Sequence, residues 1–560
     1  MFFLFALWGG KVKSQNTNYS LLKDITGATN NFAVTQPVDS GNIVLAPGFD
    51  QPVSSGNFKQ QVAEFSADRK EEFFCPGPPI INSFSPISGP VGTVVTITGT
   101  GFEPFPANNI VFFGATKATV TAATTTSLTV TVPVGSTYQY ITVTTTCNLT
   151  AYSSKSFITT FNCNGTITSS SYAQKVDFTS GTKPKWVSLG DLDGDGQADM
   201  AVPNQGSNIL SIFRNTSIIG TVSFAPRLDI ATPSEPNFVS TGDLDGDGKL
   251  DLVIPNYTGI GADISIFRNT SVTGSISFAS RMDIIAGTNS VTASIGDLDG
   301  DGKPDLVITN WSANTLSVFR NTSSVGAISF APKVDFITGN NPYGVSIGDL
   351  DGDGMPDLTV ANAFSNTFSV YRNLSSIGTI SLAPRVDYTT GTYSVGVSIG
   401  DLDGDGKADL AVSNFVSNTV SVFRNLSTTG IVTFAPKVDL ITGIGPFSGI
   451  SITDLDGDGK PDMAVDNYLS NSVSIFKNTG TSGTISFNAK IDFTTGTGPF
   501  GLAIGDIDGD NKPELVVPNW NANTVSVLRN TITPIKPSVN ISVTPTGSIC
   551  AGTPRSLLHR

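Results

Sequence analysis

Histidine is almost missing from this chain: one residue, the penultimate His559, among 560. That removes the commonest general base and the commonest transition-metal ligand. No Ser/His/Asp or Cys/His catalytic set can be assembled from it, and zinc, copper and haem sites are disfavoured. Cysteine is scarce as well. Cys75, Cys147, Cys163 and Cys550 are the four, and no two have the spacing of a metal knuckle. Cys147 and Cys163 either pair after export or stay as buried thiols. No run of about 18 apolar residues occurs, so no helix of this chain is expected to cross a membrane. The short apolar stretch Phe2 to Trp8 has no Lys or Arg before it and reads as a clipped signal peptide over residues 1–15. Charged residues make up only 14%, and basic ones are outnumbered 32 to 46. The net charge of −14 disfavours nucleic acid as a partner. Oxygen-seeking cations remain open.

Repetition is what the chain has in plenty. Asp-x-Asp-Gly-Asp recurs seven times, starting at Asp191, Asp243, Asp297, Asp349, Asp401, Asp454 and Asp506, at spacings of 52 to 54 residues. Each unit holds four short β-branched or aromatic segments. Examples are Val345 to Gly348, Asp305 to Ile308, Leu316 to Arg320 and Phe330 to Asp335. Gly, Asn and Pro punctuate them, and no helical period intervenes. Four antiparallel strands (A to D) per repeat, seven times over, predict a seven-bladed β-propeller across residues 171–531. The first repeat-like strand, Ala173 to Phe178, is a D strand without A, B or C before it. The last repeat stops at its C strand, Val525 to Arg529. The ring is therefore expected to close by pairing these two, which removes an open edge.

Upstream, residues 78–161 alternate as in Val94 to Gly99 and Leu128 to Val132, which predicts a small β-sandwich. The fold class is thus all-β: a sandwich followed by a propeller. Residues 16–77 receive no assignment. Residues 532–560 read as a linker and the truncated start of a further Ig-like domain, at Ser538 to Gly552.

The sandwich resembles the IPT/TIG family of Ig-like domains, through Ile81 to Pro86, Gly89 to Thr93, Thr96 to Phe102 and Val111 to Gly114. The repeats resemble the FG-GAP/VCBS family, which includes the propellers of integrin α subunits. The Asp loops and the apolar strand after each, such as Asp401 to Val412, carry that likeness. The resemblance implies a secreted or cell-surface protein, of a kind frequent in gliding Bacteroidetes-type bacteria.

Each Asp loop offers side-chain oxygens at positions 1, 3, 5 and 9 and a backbone carbonyl at position 7. The pattern is similar to the first part of an EF-hand loop, without its bidentate Glu at position 12. The candidate ligands, in loop order, begin with Asp191, Asp193, Asp195, Gln197 and Asp199, then Asp243, Asp245, Asp247, Lys249 and Asp251. The third and fourth loops offer Asp297, Asp299, Asp301, Lys303 and Asp305, and Asp349, Asp351, Asp353, Met355 and Asp357. The fifth and sixth offer Asp401, Asp403, Asp405, Lys407 and Asp409, and Asp454, Asp456, Asp458, Lys460 and Asp462. The seventh offers Asp506, Asp508, Asp510, Lys512 and Glu514, and it departs most, with Asn511 in place of Gly at position 6.

Asp and Gly also dominate plain turns. Four carboxylates about 4 Å apart oppose one another, however, by up to roughly 4 kcal/mol per pair at an effective dielectric near 20. The expectation is therefore one structural Ca²⁺ per loop, seven in all, with Ca²⁺ favoured over Mg²⁺ by a flexible all-oxygen site.

In an up-and-down blade the A–B and C–D turns share one face and the B–C and D–A turns the other. The second face collects Tyr257, Trp311, Phe415, Tyr468 and Trp520 from B–C turns, and Tyr343, Phe447 and Phe500 from D–A turns. Such aromatics either bind a partner or pack between blades. Gln205 and Ala363 break their pattern.

The leading functional expectation is a non-enzymatic, calcium-stabilised adhesion or ligand-binding protein, secreted or on the cell surface, for an extracellular protein or glycan. The alternatives are a lectin-like component of a polysaccharide-using system and, behind it, a propeller glycosidase or lyase. The loops hold 28 of the 46 acidic residues, so the rest of the chain stands at +14. Seven Ca²⁺ would bring the whole to zero, and a loaded protein need not repel anionic partners.

Overall fold

The computed structural model describes residues 77–161, 163, 166–257 and 263–533, with four short strands before them. Two compact units divide at Pro76 and Gly77. In the first, Phe3–Ala6 pairs with Asn31–Val34 and Asn42–Ile43 with Val53–Ser54. Most of the expected signal segment, most of the unassigned region, Cys75, Cys550 and the Ser538 to Gly552 stub lie outside the described residues.

From Gly77 onward the chain builds a sandwich and then a propeller. The sandwich strands run in the order Thr150–Ser156, Tyr140–Thr144, Ile110–Phe113, Thr116–Ala123, Ser127–Thr131, Val94–Thr100, Ile80–Ser85. Alternation does the sorting: Val95 and Ile97 point into the core while Val94 and Thr96 face out. Thr116–Ala123 pairs with Ile110–Phe113 at its start and with Ser127–Thr131 at its end, so it crosses from one sheet to the other. Ile97, Phe113, Leu128, Ile141 and Phe157 fill the space between.

Seven four-stranded antiparallel sheets follow. The third blade is representative: A is Ser290–Gly296, B is Asp305–Asn310, C is Thr315–Phe319 and D is Val334–Ile337. Strand B is buried at every residue because neighbouring blades cover both of its faces. Strand D is the outer edge and mostly exposed. Lys333 and Asp335 form an ion pair on that edge, charges that discourage edge-to-edge association. A polar chain links three strands: Asn310 Nδ2 donates to Ser317 Oγ (2.9 Å), and Ser317 Oγ donates to Asp335 (2.6 Å). This accounts for a fully buried serine in the middle of strand C.

The ring closes as expected. Val176–Thr179 pairs with Thr524–Leu528, with Phe178 opposite Val525. The fourth segment of each repeat begins later than its sequence suggests. Phe330 makes only an isolated bridge to Asn321, Pro332 has no N–H to give, and the strand proper starts at Val334. One irregular spacing has a visible origin. Strand A of blade 6, Pro446–Thr453, holds one more residue than its counterparts in blades 3 to 5. Pro446 pairs with Asn467 and Ile450 with Val465, whereas in blade 4 Pro342 and Val345 pair with Asn362 and Val360.

The sandwich sits on the propeller face that carries the Asp loops. Ala115 accepts the Asp191 N–H (3.2 Å), and Thr150 N–H donates to the Gly302 carbonyl (2.6 Å). Phe112 and Ala115 share a buried cluster with Leu192 and Leu250. Gly302 and Gly246 have positive φ, and a Cβ on either would fall within 2.9 Å of Leu149 or 2.6 Å of Asn148. Glycine there serves both the turn and the close approach. Cys163 is a buried free thiol, and Cys147 is disulfide-bonded. The Cys147–Cys163 pairing is thereby corrected, and the buried-thiol alternative holds for Cys163 but not for Cys147.

Candidate metal centres and the opposite face

The third loop shows how the sequence shapes these centres. Asp297 accepts N–H groups from Gly300 (2.9 Å) and Gly302 (2.8 Å). Asp299 accepts from Asp301 (3.0 Å), and Asp301 from Lys303 (2.9 Å). Asp305, at position 9, accepts from Leu298 (2.9 Å) through one oxygen and from Asn321 at the end of strand C (2.8 Å) through the other. The loop is thus wound by its own carboxylates.

Ligand atoms of Asp297, Asp299 and Asp305 lie within 4.8 Å of one another. The same holds for positions 1, 3 and 9 in the first, second and fifth loops, and for Asp349, Asp351 and Asp353 in the fourth. Burial pushes Asp297 up to about 7 and Asp305 to about 8, with the other loop carboxylates adding to the rise and the N–H donors opposing it. Asp191, Asp243, Asp251 and Asp454 move the same way for the same reason.

The seventh loop keeps this geometry despite its departures. Asn511 takes φ of 68° and donates its N–H to Asp506 (2.9 Å), as the glycines do. Glu514 accepts from Ile507 (2.7 Å) and Asn530 (3.2 Å), the two roles of the position-9 aspartate elsewhere.

A family model for the FG-GAP-like repeat matches residues 191–254, 297–360, 349–412, 401–465 and 466–517, just over half of the chain. The chain belongs to the FG-GAP-like repeat family. An IPT/TIG domain model matches residues 79–176. No curated protein matches. Among solved structures, BBS1N in complex with ARL6DN is similar at 13% identity and a TM-score of 0.43, over 66% of this chain and 100% of that one. An auxiliary nutrient binding protein from Bacteroides thetaiotaomicron is similar at 12% and 0.32, over 81% and 97%. A putative 6-phosphogluconolactonase from Bacteroides fragilis is similar at 16% and 0.41, over 65% and 92%.

Two features of these FG-GAP-like repeats escape a reading of the loops alone. The first is a latch. Asn321 Nδ2 donates to the Pro304 carbonyl (2.8 Å) in its own blade and to the Leu244 carbonyl (2.9 Å) in the previous one, while its Oδ1 accepts the Ser323 N–H (2.8 Å). Asn215, Asn269, Asn373, Asn425, Asn478 and Asn530 reach back to the preceding blade in the same way. The second is the basic residue before each of them. Arg320 lies 3.6 Å from Asp301, and Arg424 contacts Asp403 and Asp405 at 2.5 and 3.0 Å. Part of the carboxylate repulsion is therefore met by the protein itself. Four of the five lysines at position 7 turn to the C–D turns instead, as Lys303 Nζ does to the Ser323 carbonyl (2.8 Å), whereas Lys512 pairs with Asp510 of its own loop (3.1 Å). The available signal was the recurring basic–Asn pair, whose Asn sits 16 residues after the position-9 acid in blades 1 and 3 to 7 and 18 after it in blade 2.

The aromatics of the opposite face pack together across blades, as the packing reading expects, and most of them remain half-buried. Only Tyr343 is buried. It meets Phe447 at 5.3 Å and Trp311 at 5.8 Å; Phe447 stacks on Phe500 at 4.1 Å, and Phe415 and Tyr468 flank it. Lys185 lies over Phe500 (5.1 Å) and Tyr257 (5.8 Å), and Lys183 over Trp520 (4.6 Å). Burial brings Lys185 down to about 8, and Glu235 opposes that. Beneath them Asp466 is fully buried and accepts N–H groups from Phe447, Gly449 and Gly501 at 3.2, 3.0 and 2.7 Å.

Proposed function

We propose that this chain is a non-enzymatic, calcium-stabilised ligand-binding or adhesion protein of the cell surface or extracellular space. The observation that carries it is the convergence of buried carboxylates within 4.8 Å of one another, repeated from blade to blade. Carboxylates so placed either hold protons near neutrality or take a cation, and oxygen-only loops of this kind suit Ca²⁺. In each loop the acids at positions 1, 3, 5 and 9 and the carbonyl of position 7 would hold the ion. It would lock the A–B turn, the latch asparagine and the overlying sandwich in one arrangement. The aromatic face is left for the ligand.

Calorimetric titration of the full chain with CaCl₂ tests this, with dissociation constants expected on the order of 10⁻⁴ to 10⁻³ M. No heat at millimolar Ca²⁺ would remove the metal from the account. The second reading, a carbohydrate-binding component, draws on half-buried Trp520 and Tyr468 beside Asn521. A glycan array separates it from protein adhesion, and turnover of a polysaccharide by the purified chain would revive an enzyme.

A further inference from the structure

The aromatic face is not uniform. Four large apolar side chains stand out at its turn tips: Phe364 (59% exposed), Val416 (57%), Ile444 (56%) and Leu469 (55%). They occupy neighbouring blades. Phe364 touches Trp311 and Tyr393, Tyr393 touches Phe415 beside Val416, and the Leu469 N–H donates to the Ile444 carbonyl (3.1 Å). An exposed apolar crescent of this kind, rimmed by Asn, Ser and Thr, marks an interaction site in a water-exposed protein.

The crescent is held rigid. Asn366, Asn418 and Asn471 take positive φ of 54–56°. Their Oδ1 atoms accept the N–H of Tyr393, Gly445 and Gly498 in the next blade, each at 2.8 Å. A surface ordered in advance loses little entropy on binding.

Charge decides what can cover it. The ten B–C and D–A turns of blades 3 to 7 contain no Asp, Glu, Lys, Arg or His, in a chain with 78 Asp, Glu, Lys and Arg residues. Lys183 and Lys185 of blade 1 lie over Trp520 and Phe500 of blade 7, but the turns that carry Phe364, Val416, Ile444 and Leu469 supply no charge, and a charged group buried against them would lose its water without a counter-charge from these turns. A glycan would bring hydroxyls that Val416, Ile444 and Leu469 cannot satisfy. We propose that Phe364, Val416, Ile444 and Leu469 form a docking surface for an uncharged, apolar polypeptide segment of a protein partner. This rests on the ligand-binding reading above and names the class of ligand and its place.

The test uses the full chain in Ca²⁺ and a Val416→Asp/Leu469→Asp variant whose melting curve matches the wild type. If that pair fails to fold, Val416→Ser/Leu469→Ser serves instead. A displayed random-peptide library is panned on the wild type. Enrichment of uncharged sequences rich in Leu, Ile, Phe or Trp, bound at least tenfold more weakly by the variant, supports the proposal. Enrichment of charged sequences, equal binding by the variant, or no enrichment overturns it. A glycan-array signal lost in the variant assigns the surface to sugars, and a concentration-dependent dimer lost in the variant assigns it to a second copy. Either result overturns the proposal while leaving a ligand-binding chain intact. Silence in all three assays removes the ligand-binding reading as well.

Discussion

On one face of the propeller every blade presents the same acidic loop; on the other, no two blades present the same turn. Seven copies inside one chain act as an internal comparison. The acids at positions 1, 3, 5 and 9 and the latch asparagine recur in all seven, and the sandwich covers that face. Opposite, the tip after each B strand changes from Gln205 to Tyr257, Trp311, Ala363, Phe415, Tyr468 and Trp520. Repetition at a buried, hydrogen-bonded position is what a structural device needs, because every blade meets the same neighbour. Variation on a rigid scaffold is what a surface fitted to one asymmetric partner needs. The proposed function accordingly gives the acidic face to the architecture and the aromatic face to recognition.

Chelation should separate the two faces most widely. At Ca²⁺ tenfold above its dissociation constant, each site stabilises by about 1.4 kcal/mol, so seven sites reach about 10 kcal/mol. Excess EDTA is expected to lower the melting temperature by more than about 10 °C. It should also open the sandwich–propeller joint, exposing the chain at the buried Phe161, Cys163 and Ile167 to protease. A melt unchanged by EDTA would make the acidic loops ordinary turns and sink the comparison.

The next contrast sets two asparagines against each other. Asn321 is fully buried on the acidic face, with three hydrogen bonds through its side chain. Asn321→Ala strands two carbonyls and an N–H, at about 3–5 kcal/mol in denaturant unfolding. On the aromatic face Asn314 has φ of 55° and its side chain accepts a single N–H, from Asn341 at 2.8 Å. Asn314→Ala should cost about 1–2 kcal/mol, and Asn314→Gly less, since glycine tolerates that φ. Equal losses at the two sites would contradict the division of labour.

The period, the strand count and the ring closure were all legible because each depends on local pattern: turn residues at fixed distances and apolar alternation. The carboxylate positions were legible for the same reason, since alternate residues of a tight loop turn inward. The seat of the sandwich was not. Ala115, Asn148, Leu149 and Thr150 carry no motif, and their fit to the loops is a matter of shape. The later start of the D strands was missed because Phe330 and Ala331 read as strand, although Pro332 interrupts the ladder. The crescent was half legible. The turn aromatics announced themselves, but Val416, Ile444 and Leu469 look like ordinary core residues until their exposure is known.

Asp466 tests the comparison at its finest grain, because it is a fully buried acid on the side where the turns of blades 3 to 7 carry no charge. Other blades place Pro, Thr, Ala or Ser at its position. In blades 3 and 5 the hydroxyl at this position accepts one strand-A N–H, and in blade 6 an extra residue in strand A goes with a carboxylate. That bulge leaves the N–H groups of Phe447 and Gly449 without ladder partners, and the carboxylate accepts both. Burial pushes Asp466 up to about 7, against the pull of the N–H donors. A carboxyl raised in the folded state binds its proton more tightly there than in the unfolded chain. Its contribution is present at pH 4 and is lost as the pH rises through 7. A three-unit rise corresponds to at most about 4 kcal/mol, and water entry around the bulge reduces this to roughly 1–2 kcal/mol. With Ca²⁺ saturating, the melting temperature of the wild type minus that of Asp466→Asn should grow as pH falls from 8 to 4. A flat difference would mean that Asp466 stays ionised across this range, held by its three N–H donors, and that burial is not the dominant influence on it.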